Sequence, residues 1–139
     1  MKQTQKNRRS IIWCAAFLLL LPVRPACSQK VSKLDPDSFY ISLHLAVEPL
    51  LVDVRVAREY RKDRIPNAVS APRSQELFRL TDGLDAEHPI YLYCNDESRS
   101  VQAAEMLLVK GFGNLTILKG GLREWKLRGL PVDISRKRR

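Results

Sequence analysis

Two short apolar runs, PLLVDV at residues 49–54 and PIYLYC at residues 89–94, constrain the fold of this 139-residue chain more than any other feature. Neither run alternates apolar with polar residues, so a strand built from either must be covered on both faces. A parallel sheet with helices on both sides provides that environment. The segments between and around the runs read as the required helices. In KLDPDSFYISLHLA, Asp35 is an N-cap, Pro36 takes the first helical position, and Phe39, Leu43 and Ala46 fall at core spacing. AREYRKDR reads as a short helical turn, and the prolines of IPNAVSAP bracket a very short strand around Val69. SQELFRLTDGL predicts a helix capped by Ser74 and stopped near Gly83. SRSVQAAEMLLVKGFG predicts an amphipathic helix with Val101, Ala104, Leu107 and Leu108 inward and Gly111 as its stop. LTIL supplies a last strand and LREWKLRG a last helix. Strands and helices thus alternate, which predicts an α/β fold with a parallel sheet.

The N-terminus stands outside this alternation. Lys2, Lys6, Arg8 and Arg9 precede the apolar block IIWCAAFLLLL at residues 11–21, Pro22 ends it, and small residues follow at ACS. That order is the order of a secretory signal, and the block is too short to span a bilayer comfortably. The sequence predicts a signal peptide over residues 1–28, cut after Ser28, one domain over residues 29–135, and a basic tail over residues 136–139. The expected destination is the periplasm or cell envelope. Membrane attachment would require an uncleaved anchor or lipidation of Cys27, and Arg24 and Pro25 suit lipidation poorly.

Removing the leader changes the charge and the cysteine count. The leader holds five of the 24 basic residues and none of the 15 acidic ones, so residues 29–139 carry 19 basic residues against 15 acidic, a net of +4. Arg136, Lys137, Arg138 and Arg139 account for that excess, so the domain itself is neutral and offers no case for a nucleic-acid face. Cys14 and Cys27 leave with the leader, and Cys94 remains alone. A single thiol in an oxidising compartment has no internal disulfide partner and needs another reason to be there.

Cys94 ends the second apolar run, and the loop NDESR leads from it into a helix. In open α/β sheets, sites form at such strand exits, where helix N-termini present backbone N–H groups and a positive dipole end. Both stabilise a thiolate, the attacking form of cysteine. The competing reading is a strand-end core cysteine. The Cys-x4-Arg-Ser spacing of Cys94, Arg99 and Ser100 is one residue shorter than the Cys-x5-Arg loop of cysteine phosphatases. It suits one transferred sulfur atom better than a tetrahedral oxyanion, which argues against a phosphatase or arsenate reductase. A thiol redox protein lacks its resolving cysteine here.

LLVDVRVAREYRKDRIPNAVSAP resembles the first signature of rhodanese-like domains, YLYCNDESRS resembles their active-site loop, and LKGGLREWKLRGLPV resembles their closing signature. The resemblance covers roughly residues 31–133. It implies a five-stranded parallel sheet and a sulfurtransferase that takes sulfane sulfur onto Cys94 as a persulfide and passes it to a thiophilic acceptor. The implied donor is thiosulfate or a persulfide, and the implied acceptor a thiol or cyanide. No metal or cofactor is implied, and His44 and His88 stand apart from any cluster. In this frame the amides from Asn95 through Asp96, Glu97, Ser98 and Arg99 to Ser100 form an anion cradle. Arg99 either orients the anionic group or balances a neighbouring acid. Asp53, Arg55 and Glu59 match the first signature and read as a hydrogen-bond and ion-pair set, while Gly120 and Gly121 permit a tight turn beside the site. The alternative within the fold is a binding or sulfur-carrier module without turnover.

The loop departs from the family pattern at Asp96 and Glu97, where many members have glycine at the third position after cysteine and several carry basic residues. A glutamate there strains a turn that glycine tolerates. A carboxylate about 6 Å from a thiolate costs on the order of 2 to 3 kcal/mol at an effective dielectric near 20. The expectation is that both acidic side chains point outward, partly neutralised by Arg99. The rim then disfavours dianionic donors and favours a neutral or cationic donor, a persulfide, or a partner protein's basic patch.

Overall fold

The computed structural model describes residues 30–134. The leader at residues 1–28 and the tail at residues 136–139 lie outside the described residues. The chain begins with β1 (Lys30–Leu34) and α1 (Pro36–Leu45), where Asp35 Oδ1 accepts the Ser38 N–H at 3.2 Å. The first apolar run becomes β2 (Leu50–Asp53), followed by α2 (Ala57–Lys62), β3 (Asp63–Arg64) and β4 (Val69–Ser70). Next come α3 (Ser74–Thr81), β5 (Ile90–Tyr93) built from the second run, and α4 (Ser98–Val109). The chain continues through β6 (Asn114–Leu118), α5 (Gly121–Leu127) and β7 (Asp133–Ile134).

Five strands form one parallel sheet in the order β1-β6-β5-β2-β4. The two apolar runs occupy β2 and β5, adjacent and interior, with Leu51 to Asp53 and Ile90 to Tyr93 buried. Helices cover both faces. Ala103, Ala104 and Leu107 of α4 pack with Leu77 of α3, Leu92 and Leu115 on one side. Phe39 of α1 and Leu122 and Trp125 of α5 pack with Leu51, Tyr91 and Tyr93 on the other. Fully burying side chains of this size contributes about 1.5–3 kcal/mol each, and Trp125 also donates its indole N–H to Pro131 O at 2.9 Å.

One local expectation needs correction, and two elements go beyond what the sequence indicated. The edge strand β1 was not apparent from residues 30–34, because KVSKL is short, half exposed and flanked by polar residues. The N-cap of α3 is Arg73 rather than Ser74, and it is the Glu76 carboxylate that reaches back to the Arg73 N–H at 3.1 Å. The antiparallel β3-β7 pair joins two-residue segments too short to show any periodicity.

Candidate active site

β5 hands the chain to Cys94, residues 95–97 turn, and α4 begins at Ser98. The turn is held from behind by α5, whose Leu122 and Arg123 N–H groups donate to Cys94 O (2.8 Å) and Asn95 O (3.2 Å). This contact needs the two glycines beside it. Gly120 and Gly121 have φ of +70° and +63°, and a Cβ on Gly121 would stand 2.5 Å from Asn95 O and 2.6 Å from Cys94 O. With the Cys94 and Asn95 carbonyls turned toward α5, the loop directs the Glu97 N–H at the sulfur.

The Glu97 N–H donates to Cys94 Sγ at 3.2 Å, Asp96 Oδ1 lies 3.6 Å from the sulfur, and Ser100 Oγ lies 3.7 Å away. Cys94 has 0% of its surface exposed. Cys94 stands at the strand exit that the sequence predicts, and the structure encloses it, with the Glu97 amide over the sulfur. The cradle is also narrower than the span from Asn95 to Ser100. The Ser98 N–H is taken by Asp96, and Ser100 turns its hydroxyl to Glu97 O at 2.8 Å.

The acidic side chains diverge. Asp96 is exposed but does not sit away from the sulfur: its Oδ1 accepts the Ser98 N–H (3.1 Å) and Ser98 Oγ–H (2.8 Å) and stands 3.6 Å from Sγ. The Ser98 hydroxyl and amide hold the Asp96 carboxyl below its ordinary range. Glu97 does turn away. It ion-pairs with Lys33 of β1 at 2.7 Å and accepts the Gly120 N–H at 3.2 Å, and the Lys33 contact leads in keeping its carboxyl below the ordinary value. Glu97 pivots at φ +92°, the left-handed conformation that a glycine would adopt without strain. Arg99 does not neutralise the loop acids by direct pairing. Both its terminal nitrogens donate to Glu59 Oε2 at 3.2 Å, so it balances an acid of α2.

The remaining site residues form a buried polar lattice behind the loop. Arg55, 2% exposed, is held by Asp53 and by Asp63, and its Nη1 also donates to Asn95 Oδ1 at 3.3 Å. Burial pulls the Arg55 pKa down, yet the Asp53 bonds and charge outweigh it and leave it raised. Glu59 bonds the Asn95 amide as well as Arg99; burial pushes its carboxyl up, and these two partners more than reverse the shift. Lys126 of α5 reaches Asp63, whose pKa is likewise lowered against its burial. A cleft of about 240 Å³ opens among Arg55, Glu59, Lys62, Asp63, Asn95 and Lys126. Lys33, Asp63, Lys126 and Tyr93 were missed in the sequence. Only tertiary pairing makes them part of the site, and no local spacing marks them. Among the described residues, no three His, Cys, Asp or Glu side chains gather as a metal site. No helix among them is long and apolar enough to cross a membrane.

A family model described as the rhodanese-like domain matches residues 41–128. A sulfurtransferase of Allochromatium vinosum is 30% identical over 102 residues, covering 73% of this chain and 94% of that protein. The thiosulfate sulfurtransferase GlpE of Actinobacillus pleuropneumoniae is 29% identical over 85 residues, covering 61% of this chain and 78% of that protein. Among solved structures, a rhodanese-like domain from Anabaena sp. superposes with a TM-score of 0.65 at 27% identity, over 73% of this chain and 77% of that one. A thiosulfate sulfurtransferase from Pseudomonas aeruginosa gives a TM-score of 0.67 at 24% identity, over 78% of this chain and 21% of that one, a likeness of fold.

Proposed function

This chain belongs to the rhodanese-like domain family, and from that premise we propose that it is an exported sulfurtransferase in which Cys94 takes sulfane sulfur from thiosulfate or a persulfide and passes it to a thiol or cyanide. The observation that carries the reading is the Glu97 N–H aimed at Cys94 Sγ at the mouth of α4. The Glu97 N–H and the N-terminus of α4 favour negative charge on that sulfur, and the Asp96 carboxylate 3.6 Å away opposes it. The thiolate attacks the outer sulfur of the donor, the donor's S–S bond breaks, and the leaving group departs with the electron pair. A cysteine persulfide remains, and its outer sulfur goes to the acceptor thiolate or cyanide.

The enclosure of Cys94 is compatible with this cycle if the loop opens. Its outward anchor, the Lys33–Glu97 pair, sits at the surface with Lys33 half exposed. Exposed pairs of this kind hold by about 0–1 kcal/mol, so this anchor adds little to the cost of opening. The Arg55 lattice beneath contacts the loop through Asn95. In the proposed domain plan the leader is removed after Ser28 and residues 29–135 form the catalytic domain.

Incubating the purified protein with thiosulfate or a persulfide and measuring intact mass tests the reading. The expected result is a gain of about 32 Da on Cys94, reversed by a thiol and absent from Cys94→Ser. A protein that accepts sulfur from neither donor is a binding module, the second reading, which the sealed thiol favours. Expression of the full chain in a bacterium tests export, with a mature N-terminus at Gln29 expected in the periplasmic fraction.

A further inference from the structure

We propose that Asp96 selects the sulfur donor by charge, so that Cys94 takes sulfur from a persulfide carried on a cationic thiol in preference to an anionic donor. This rests on the sulfurtransferase reading above and adds a substrate class to it. The positions of the loop charges carry the inference. Arg99, the loop cation placed to meet a donor's anion, is already bound through both terminal nitrogens to Glu59. Lys33 is bound to Glu97, with Lys119 adding its charge on that side. Asp96 alone of the loop acids has no basic side chain within 4 Å among the described residues. It is exposed, and its carboxylate stands 3.6 Å from the sulfur that a donor must reach.

Asp96 also occupies the N–H and hydroxyl of Ser98, the donors at the start of α4 that would otherwise receive an anion. An incoming sulfonate must therefore displace a carboxylate and approach its charge at once. A donor bearing an ammonium group on its leaving thiol meets the opposite situation. It keeps the Asp96–Ser98 contact, adds a directly paired cation to the distant charge of Arg99, and sets its outer sulfur beside Cys94. Transfer then follows as the Cys94 thiolate attacks the outer sulfur of R–S–S–H, giving Cys94–S–S–H and R–S⁻, which leaves and takes a proton from water.

The test compares three donors at low salt: cysteamine persulfide (cationic), the persulfide of 3-mercaptopropionate (anionic and of similar length), and thiosulfate. In the wild-type protein, kcat/KM is expected to favour the cationic over the anionic persulfide by about ten-fold, shrinking as salt screens the carboxylate. Asp96→Asn, which keeps an oxygen for Ser98, should bring the ratio near unity. Asp96→Lys should invert it and raise thiosulfate use, and Asp96→Glu should retain the preference. Equal rates with both persulfides in the wild type, or a ratio unmoved in Asp96→Asn and Asp96→Lys, overturn the selection by Asp96 while leaving sulfur transfer intact. No sulfur on Cys94 from any of the three donors overturns the sulfurtransferase reading and this inference with it.

Discussion

The guanidinium of Arg55 is clamped by the carboxylate of Asp53, two residues earlier in the chain, with Nε 3.0 Å from each oxygen and Nη2 2.7 Å from Oδ2. Both side chains are buried, and Arg55 extends the clamp to Asp63 and to Asn95 in the loop after Cys94. Replacing Arg55 with Met leaves Asp53 buried without a counter-charge and is expected to cost about 3–5 kcal/mol. Changing both residues together, Asp53→Asn with Arg55→Met, should cost less than the sum of the single changes. Urea unfolding of the three variants measures this, and a loss under about 1 kcal/mol in Arg55→Met would contradict a structural role for the clamp.

Gly121 and Gly120 share a left-handed backbone but differ in what surrounds them. A methyl group on Gly121 meets the main chain at Asn95 and Cys94, whereas on Gly120 it meets the flexible Glu124 side chain, with Cβ at 2.9 Å. Gly121→Ala is therefore expected to lose about 2–3 kcal/mol and to shift the Cys94 loop, and Gly120→Ala to lose about 1 kcal/mol. Thermal melts rank the two, and amide chemical shifts at residues 94–98 report the loop. Equal losses would show that crowding against the loop is unimportant.

Tyr93 closes the other side of the site by accepting the Ile65 N–H at 3.1 Å on its phenol oxygen. Burial and the Asp53 charge push the Tyr93 pKa upward, so the ring stays neutral. Tyr93→Phe strands a buried N–H and should cost about 1–3 kcal/mol. Hydrogen exchange at the Ile65 amide is expected to quicken in the same variant.

Acid should loosen the loop. Glu97 titrates below its ordinary value of about 4.3 in the folded protein, chiefly because of Lys33. Its contacts are thus intact above that value and are lost as pH falls through the lowered one. At a pH far enough below the ordinary glutamate value to protonate Glu97, Cys94 should react with a pyridyl disulfide several-fold faster relative to a free thiol than it does at pH 6. Glu97→Gln and Lys33→Met should already be faster at pH 6, with no further rise in acid. Relative rates that are flat across pH in all three proteins would dissociate the Lys33–Glu97 pair from loop opening.

The parts of the fold that sequence revealed are those with unbroken burial. β2 and β5 are covered on both faces, so LLVD and IYLY show no polar interruption except the clamped Asp53, and α4 buries one stripe at helical spacing. β1 borders solvent and pairs on one side only, so its pattern is mixed, and with it Lys33 escaped notice. The strain at Glu97 followed from the missing glycine, and φ of +92° accords with it. Asp96 is exposed as expected, but hydrogen bonds to Ser98 hold its carboxylate close to the sulfur against charge repulsion. An Asp followed two residues later by Ser is a sign of an Asx turn, and that signal was present in NDES. The pairing of Arg99 with Glu59 spans 40 residues and had no local mark.

The sealed sulfur of Cys94 has one more consequence. Under the proposed cycle a second sulfur on Cys94 would press on the Glu97 amide that now stands 3.2 Å from Sγ, so the loaded and unloaded proteins would differ in outline at this end of the sheet. An acceptor able to feel the shape of residues 95–98 would therefore distinguish a laden molecule from a spent one before any bond is exchanged.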